Sequence, residues 1–207
     1  MSTPDTCLTL AAPSEAVYTE KRSRFLAFAY PIDTPEDALA HVKELRRQYY
    51  DARHVCFAYA TGFEGETFRA VDDGEPSGTA GRPILGQIRS AGLSFVVVAV
   101  VRYFGGIQLG AAGLGVAYKM AAAAALERAE KTERTVTADL RVEAAYTDVD
   151  LVMRIARETG ADVAAQEYGA LSEVLTLRVR RSGAEPLHAR LSKVHTLKVS
   201  PWEDEQP

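Results

Sequence analysis

The chain has few of the residues on which several protein classes depend. It contains two cysteines, Cys7 and Cys56, in unrelated contexts and without a CxxC spacing. This pattern indicates neither a disulfide framework nor a zinc site. The most apolar stretch, residues 95–101, is too short to cross a bilayer, and the N-terminal residues do not resemble a secretion signal. We therefore expect a cytoplasmic protein without a membrane partner.

Positive charge is also scarce. The 207 residues include 24 Lys and Arg against 28 Asp and Glu, and neither residues 1–134 nor residues 135–207 carry a basic excess. Neutralisation of phosphates requires a local excess of Lys and Arg, so this balance argues against indiscriminate nucleic-acid binding, although a local basic patch is compatible with it. With 47% hydrophobic and 25% charged residues, the composition is that of a globular protein of one or two domains.

Apolar patterning in the first part of the chain predicts strands alternating with helices. Strand-like runs occupy residues 25–32, 54–60, 66–71 and 94–102. The last run is continuous and β-branched, which only a strand buried on both faces tolerates. Thr34 before Pro35 predicts the start of a helix, and Pro83 predicts the start of another, which Gly92 ends. A third helix is predicted over residues 111–130.

The charged segment 130–134 has no apolar periodicity, and we place a domain boundary there, giving domains at 1–134 and 135–207. Beyond it, strand-like runs occupy residues 135–146, 162–168, 172–181 and 196–199. Helix-like runs occupy residues 147–159 and 184–195. The resulting order, βαββαβ, is that of the split βαβ sandwich. The acidic tail from Trp202 is expected to be loose.

Two glycine-rich stretches are candidates for a ligand site: DDGEPSGTAG at 72–81 and RYFGGIQLGAAGLG at 102–115. The second follows a buried strand and leads into a helix, so it brings free backbone N–H groups and a positive helix end together, which suits phosphate or carboxylate. Arg102 and Lys119 could add charge. The glycines match neither GxxxxGK[ST] nor GxGxxG, so no cofactor is predicted. The alternative is that the glycines only permit a tight turn and close packing.

The first stretch places Asp72, Asp73 and Glu75 within four residues. Three such carboxylates repel one another unless a cation, an arginine or a set of N–H donors compensates them. Arg82 and Arg102 are candidates for this role, and a divalent metal ion is an alternative. A solvated loop with an Asp-Gly turn is the simplest interpretation.

Longer motifs resemble a known family. The segments SRFLA at 23–27, HVCFAYA at 54–60, DDGEPSGTAGRPIL at 72–85 and VVVAVVRYFGGIQLGAAGL at 96–114 resemble the IMPACT family, whose bacterial members are called YigZ-like. The resemblance covers residues 15–130, and the rest looks like the small ferredoxin-like domain of those bacterial members. It implies an α+β fold with an N-terminal two-layer α/β sandwich, like the second domain of a small-subunit ribosomal protein, followed by a ferredoxin-like βαββαβ domain.

The resemblance implies binding to RNA, to the ribosome, to a translation-related protein or to a small phosphate-bearing ligand. The predicted ligand-binding residues are His54, Asp72, Asp73, Glu75, Ser77, Gly78, Thr79, Arg82, Arg102, Tyr103, Gly105, Gly106, Gly110 and Lys119. Three positions depart from the family pattern: Gln108 and Val116 stand where Lys and Arg are usual, and Ala112 replaces a glycine. With two charges absent, the pattern favours a ligand that is less rich in phosphate than nucleic acid.

The leading hypothesis is a non-enzymatic binding protein that acts near translation. A complete nucleophile and base is not evident, because His54 beside Ser77 or Thr79 is conceivable but not indicated by spacing. The alternative is a hydrolase or phosphotransferase in which the acidic stretch holds a divalent ion and the second stretch holds a phosphate. A third hypothesis is a protein–protein adaptor without a small ligand.

Overall fold

The structure, a computed structural model, describes residues 5–204, which form two compact units. The N-terminal unit is Cys7–Arg134, and the C-terminal unit combines residues 135–204 with Asp5 and Thr6. Both units contain helices and antiparallel sheet, so the chain has an α+β fold of two domains. The helices are α1 (Pro35–Gln48), α2 (Gly81–Ser90), α3 (Gly110–Arg128), α4 (Val149–Thr159) and α5 (Arg181–Leu191). The strands are β1 (Thr6–Leu10), β2 (Ser14–Glu20), β3 (Ser23–Pro31), β4 (His54–Thr61), β5 (Thr67–Val71), β6 (Val96–Tyr103), β7 (Lys131–Thr135), β8 (Thr137–Ala145), β9 (Asp162–Tyr168), β10 (Ser172–Arg180), β11 (Lys198–Val199) and β12 (Glu203–Asp204).

A five-stranded antiparallel sheet in the order β2-β3-β6-β4-β5 organises the N-terminal unit. Strand β6 lies at its centre, and residues 96–101 are fully buried, as their continuous apolar run predicts. The register pairs Arg24 of β3 with Tyr103 of β6, and His54 of β4 with Arg102 of β6. The beginnings of β3 and β4 therefore meet the end of β6 at one end of the sheet.

Helices cover both faces of this sheet. Val42 and Leu45 of α1 pack on one face with alternate residues of β6, such as Ala99, whereas α2 and α3 pack on the other face. The unit thus has three layers, and the prediction of a two-layer sandwich is wrong. The reason lies in β6, whose side chains are apolar on both sides and which therefore needs cover on each.

Local signals place several helix ends correctly. The Thr34 hydroxyl accepts from the N–H of Asp37 at 3.1 Å, and the Asp37 carboxylate accepts from the N–H of Thr34 at 2.8 Å. This reciprocal pair is a capping box, and it confirms the predicted start of α1. Gly92 follows the end of α2 with a φ of +65°, as predicted. The helix begins at Gly81, two residues before the predicted Pro83.

Three strands of the N-terminal region have no counterpart in the sequence prediction: β1, β2 and β7. In β2 Ala16 is buried, whereas every residue of β7 is at least partly exposed. Strand β7 occupies the charged segment that was predicted to be a break, and it pairs with β1 in a two-stranded sheet. Few side chains of β2 and β7 are buried, and in β1 Leu8 is exposed whereas Thr9 is buried, so the apolar alternation from which strands are predicted is weak in all three.

The C-terminal unit contains the predicted βαββαβ succession, formed by β8, α4, β9, β10, α5 and β11. Its antiparallel sheet has the order β11-β8-β10-β9, with β12 also paired to β8. The two helices share one hydrophobic cluster with the sheet, in which Leu140, Leu175 and Leu187 are fully buried. This cluster explains the alternating burial along β8 and β10.

Several predicted boundaries in this unit are wrong, among them both ends of α5, which ends at Leu191 and not at 195. Helix α5 starts three residues before the predicted position, because the Asp5 carboxylate accepts from the Ser182 N–H at 2.7 Å and from its hydroxyl at 2.6 Å. In the tail that was expected to be loose, Glu203–Asp204 pairs with β8, while residues 205–207 lie outside the described residues. Within residues 5–204, no helix is both long enough and apolar enough to cross a membrane.

Candidate functional site

The acidic stretch 72–81 forms a compact loop between β5 and α2. Asp73 and Gly74 have φ angles of +47° and +85°, and the N–H of Glu75 donates to the carbonyl oxygen of Asp72 at 3.0 Å. Positive φ at both central residues is characteristic of a type I′ turn, in which Asp-Gly is a preferred pair. The turn interpretation of this dipeptide is therefore correct. The next side chain, that of Glu75, is buried.

The carboxylate of Asp72 closes the loop onto the beginning of α2. Its oxygens accept from the backbone N–H groups of Gly78 at 2.7 Å, Ala80 at 2.9 Å and Gly81 at 2.8 Å. Burial alone would raise the pKa of Asp72, but these three donors and the charge of Arg82 outweigh it and hold that pKa below its ordinary value. The positive end of α2 is thus occupied by a side chain of the protein itself.

Asp73 also has partners within the protein. One carboxylate oxygen accepts from the N–H of Val55 at 2.6 Å, and the other contacts the guanidinium of Arg46. The carbonyl oxygen of Asp73 lies 2.8 Å from Nδ1 of His54. Asp73 therefore fastens the loop to the beginning of β4 and to α1.

Glu75 is part of a buried polar network. Its Oε1 accepts from Nη1 of Arg102 at 2.5 Å and from the hydroxyl of Tyr118 at 2.8 Å. The Cys56 thiol donates to Tyr118 at 3.3 Å, and burial is the main cause that raises its pKa to about 12. At neutral pH this thiol is protonated and is a poor nucleophile. Burial likewise raises the pKa of Tyr118, whose hydroxyl stays a hydrogen-bond donor.

Backbone N–H groups and arginines thus compensate the three carboxylates, which was one of the answers that the sequence left open. Arg102 pairs with Glu75, Arg82 lies near Asp72, and the sequence did not indicate Arg46 as the partner of Asp73. In the part of the chain that the structure describes, no group of three or more His, Cys, Asp or Glu side chains is arranged to hold a metal ion.

The second glycine-rich stretch connects β6 to α3. At Gly105 a Cβ atom would lie 2.0 Å from the carbonyl carbon of Arg22, so the close approach of the two backbones requires glycine there. The N–H of Gly105 donates to the hydroxyl of Ser23 at 3.1 Å. Helix α3 begins at Gly110, and its N-cap residue, Leu109, makes no side-chain capping bond. The first N–H groups of α3 are therefore not met by a capping side chain.

Both stretches line one cleft of about 380 Å³ in the N-terminal unit. Its lining residues are Arg53, His54, Glu75, Pro76, Arg102, Phe104, Gln108, Leu109, Gly110, Ala111 and Leu114. Four predicted site residues are among them: His54, Glu75, Arg102 and Gly110. The other ten are not: Asp72, Asp73, Ser77, Gly78, Thr79, Arg82, Tyr103, Gly105, Gly106 and Lys119. The structure therefore brings part of the predicted set together, and the ligand-binding role of all fourteen stays a prediction.

Several of the residues outside the cleft have identifiable structural contacts. Tyr103 follows Arg102 in a strand and so points to the opposite face, where its hydroxyl donates to Asp51 at 2.7 Å. The Thr79 hydroxyl donates to the carbonyl oxygen of Pro76 at 2.7 Å, within the acidic loop. Lys119 follows the buried Tyr118 and is exposed on α3.

Sequence analysis did not identify the exposed cations at this end of the sheet. Lys21 and Arg22 lie in the turn before β3, which contacts Gly105, and Arg24 pairs with Tyr103 at the end of β6. Arg53 immediately precedes β4 and lines the cleft. The run KRSR at 21–24 was the available signal, but its position beside β6 depends on the pairing of β3.

The role of Asp72 gives a testable prediction. Asp72→Asn is expected to lower the free energy of unfolding by about 2 kcal/mol at neutral pH, because the amide has one acceptor oxygen and turns an NH₂ group towards a backbone N–H. The pKa of Asp72 lies below 3.8 in the folded chain. The contribution of the ionised carboxylate to the free energy of unfolding is therefore complete above that pH, and it is lost as the pH falls through the lower pKa of the folded state. Urea unfolding at neutral pH and at about pH 3 measures both effects.

Asp162→Asn, at an exposed aspartate at the beginning of β9, is the matched control and should leave stability nearly unchanged. A difference between wild type and Asp72→Asn that stays constant down to strongly acidic pH would contradict the assigned role of the carboxylate.

The family model described as the Impact N-terminal domain matches residues 21–126. The IMPACT family member YigZ of Escherichia coli is 33% identical over 162 residues, which cover 77% of this chain and 79% of the relative. A Thermus thermophilus protein described as an IMPACT family member in the pol 5′ region is 51% identical over 111 residues, which cover 54% of this chain and 59% of that one.

A crystal structure of a protein described as hypothetical is similar along almost the whole chain. It has 29% sequence identity and a TM-score of 0.75, and the match covers 98% of this chain and 100% of the other. The matched family model includes both glycine-rich stretches and every residue that lines the cleft. The chain belongs to the IMPACT family and is similar to its YigZ-like members.

Proposed function

We propose that the chain is a cytoplasmic, non-enzymatic protein linked to translation, which binds single-stranded RNA at the cleft of its N-terminal unit. The proposal includes the finer fold assignment, with residues 1–134 as a domain of the ribosomal-protein type that has three layers instead of two, and residues 135–207 as a ferredoxin-like domain. The sheet order of the C-terminal unit supports the latter, because its first and third strands are central and adjacent, as in a split βαβ sandwich.

The observation that carries the proposal is an exposed aromatic ring among cations. Phe104 is 59% exposed at the cleft, and the guanidinium carbon of Arg102 lies 5.7 Å from its ring centre. Proteins bind unpaired bases by stacking them on exposed aromatic rings beside cationic groups that contact the backbone. An apolar side chain of this size, exposed within a cleft, is otherwise unfavourable in water.

The charge distribution at the same end of the sheet supports an anionic ligand. The acidic groups Asp51, Asp73 and Glu75 accept hydrogen bonds from groups of the protein itself. The cations Arg22 and Arg53, in contrast, are exposed. Local positive charge is what phosphate binding requires, and the net charge of −4 does not preclude it.

The carboxylate contacts also bear on the alternative function. A hydrolase or phosphotransferase of the type considered above would need Asp72, Asp73 and Glu75 to hold a divalent ion. Each of them already accepts from backbone N–H groups, arginines or a tyrosine. This arrangement does not favour the enzyme alternative. The carboxylates instead stabilise the acidic loop through their hydrogen bonds to the rest of the N-terminal unit.

Fluorescence anisotropy with a labelled single-stranded RNA tests the proposal. We expect Phe104→Ala to weaken binding about tenfold, since stacking of one base contributes about 1–3 kcal/mol. Replacement of Arg53 by Gln should reduce the slope of log K against log salt by about 0.7, as expected for one lost phosphate contact on a single strand.

Phe68→Ala is the matched control, because Phe68 is 49% exposed and has Arg89 above its ring but does not line the cleft. It should leave RNA affinity unchanged. The proposal fails if wild-type protein shows no binding at about 50 mM salt, where phosphate contacts are strongest, or if both phenylalanine variants bind as wild type does.

A further inference from the structure

A buried donor in the cleft lacks an acceptor. The side chain of Arg102 is 8% exposed, and its Nη1 donates to Glu75. Its Nε, which is also buried, has no hydrogen-bond partner among the described residues. Buried guanidinium N–H groups are rarely left unpaired, because the loss of their hydration is not repaid. Since Arg102 lines the cleft, the missing acceptor can come from a ligand there.

A second group of donors faces the same cleft. Gln108, Leu109, Gly110 and Ala111 line it; Leu109 is the N-cap residue of the 19-residue helix α3, and Gly110 and Ala111 are its first two residues. Among residues 5–204 no side chain caps this end, and the first turn of α3 contains no acidic residue. Asp72, by comparison, occupies the beginning of α2. The first N–H groups of α3 and the positive end of its dipole therefore act on whatever occupies the cleft.

The charges and the volume limit the ligand. Glu75 is compensated by Arg102, so the exposed Arg53 and the helix end remain to balance a bound anion. A volume of about 380 Å³ accommodates a group of roughly one nucleotide. An internal phosphodiester carries a sugar on each side and cannot approach a guanidinium that is so deeply buried. A terminal phosphate monoester has three free oxygens and can.

We propose that the cleft binds a phosphate monoester, carried by the end of an RNA strand, which accepts from Nε of Arg102 and from the first N–H groups of α3. The exposed Arg53, which also lines the cleft, supplies a further positive charge. The base next to the phosphate stacks on Phe104. This inference rests on the proposed function and specifies which part of the RNA the site recognises.

Binding of one RNA sequence in three forms tests the inference: with a 5′ phosphate, with a 3′ phosphate, and with hydroxyl groups at both ends. We expect at least one phosphorylated form to bind ten or more times more tightly than the unphosphorylated form. A difference in affinity of this size is what one charge-assisted hydrogen bond contributes. A nucleoside monophosphate and inorganic phosphate, used as competitors, separate recognition of an RNA end from recognition of a free ligand.

A variant that keeps the fold tests the geometry. Ala111→Asp places a carboxylate in the first turn of α3, where it is favourable to the helix but competes with a bound anion. We expect unchanged or slightly higher thermal stability and loss of the preference for phosphorylated RNA. Val116→Glu is the matched control, since it adds the same charge to α3 at a position that is 57% exposed and outside the cleft. It should keep the preference.

The outcomes separate the inference from the proposed function. Equal affinity for all three RNA forms would overturn the inference and leave RNA binding intact. Retention of the preference in Ala111→Asp would overturn the assigned donors. Binding of a nucleoside monophosphate without binding of any RNA would support the phosphate site but refute the proposed function and the RNA source of the phosphate.

Discussion

Glu75→Leu is expected to lower the free energy of unfolding by about 3–5 kcal/mol, which is the usual cost of leaving one member of a buried ion pair without its partner. Glu75 and Arg102 are 8% and 7% exposed, and their contact is 2.5 Å long. Removal of the carboxylate leaves a buried guanidinium without compensation and deprives the Tyr118 hydroxyl of its acceptor. Urea unfolding followed by far-ultraviolet circular dichroism measures the effect.

Two further variants identify the cause. In the background of Glu75→Leu, Arg102→Met removes the remaining charge and should restore a substantial part of the lost stability, since an apolar pair avoids the desolvation penalty. Glu44→Ala breaks the exposed pair with Arg47 and should have little effect, because solvent screens such pairs. If Glu75→Leu proves as mild as Glu44→Ala, the pair does not stabilise the loop.

Local signals in the sequence were sufficient for much of the fold. The continuous apolar run of β6 requires burial on both faces. The helix cap at Thr34 involves only Thr34 itself and Asp37, three residues later, so it can be predicted from a short segment of sequence. Burial on both faces also implies three layers, so the two-layer expectation conflicted with the pattern of β6 itself. Strand β7 was not predicted because its residues are largely exposed, so its sequence lacks the apolar alternation of a buried strand. It is held by its backbone pairing with β1, which the sequence of β7 does not show.

The candidate site depends on contacts that the sequence does not encode locally. The three neighbouring carboxylates predicted that compensating groups must be present. Two of those groups, Arg46 for Asp73 and Tyr118 for Glu75, lie far away in the chain and could not be identified from the sequence. Helix phase determines which residues of α3 reach the cleft. Leu114 of α3 lines the cleft, whereas Val116 and Lys119 lie outside it.

This placement changes the meaning of the departures from the family pattern. Val116, which stands where Arg is usual, is exposed on α3 outside the cleft, so its lack of charge does not alter the cleft. Gln108, which stands where Lys is usual, lines the cleft, so its lack of charge makes the cleft less positive. The exposed Arg22, Arg24 and Arg53 add positive charge at the same end of the sheet. The expectation of a phosphate-poor ligand therefore rests on one position of the cleft, and a site for a single phosphate is compatible with it.

Gly81→Ala is expected to destabilise the chain by about 3 kcal/mol, at the upper end of the usual cost of overpacking. A Cβ atom there would lie 2.4 Å from the backbone nitrogen of Val71, and 2.9 Å from the carbonyl carbon of Ala70. Both atoms belong to β5, and a strand backbone cannot move aside as a flexible side chain can. The N–H of Gly81 also donates to Asp72, so a shift of α2 would open the acidic loop.

Gly86→Ala in the same helix is the matched control. A Cβ atom at this position meets nothing within 4 Å, and alanine is favoured over glycine inside a helix by about 1 kcal/mol. The two substitutions add the same methyl group to α2 and should shift the urea midpoint in opposite directions. Because Gly81 is where α2, β5 and the Asp72 carboxylate meet, Gly81→Ala should also weaken the proposed binding of RNA. If Gly81→Ala is tolerated as well as Gly86→Ala, the contact between α2 and β5 is looser than the structure shows.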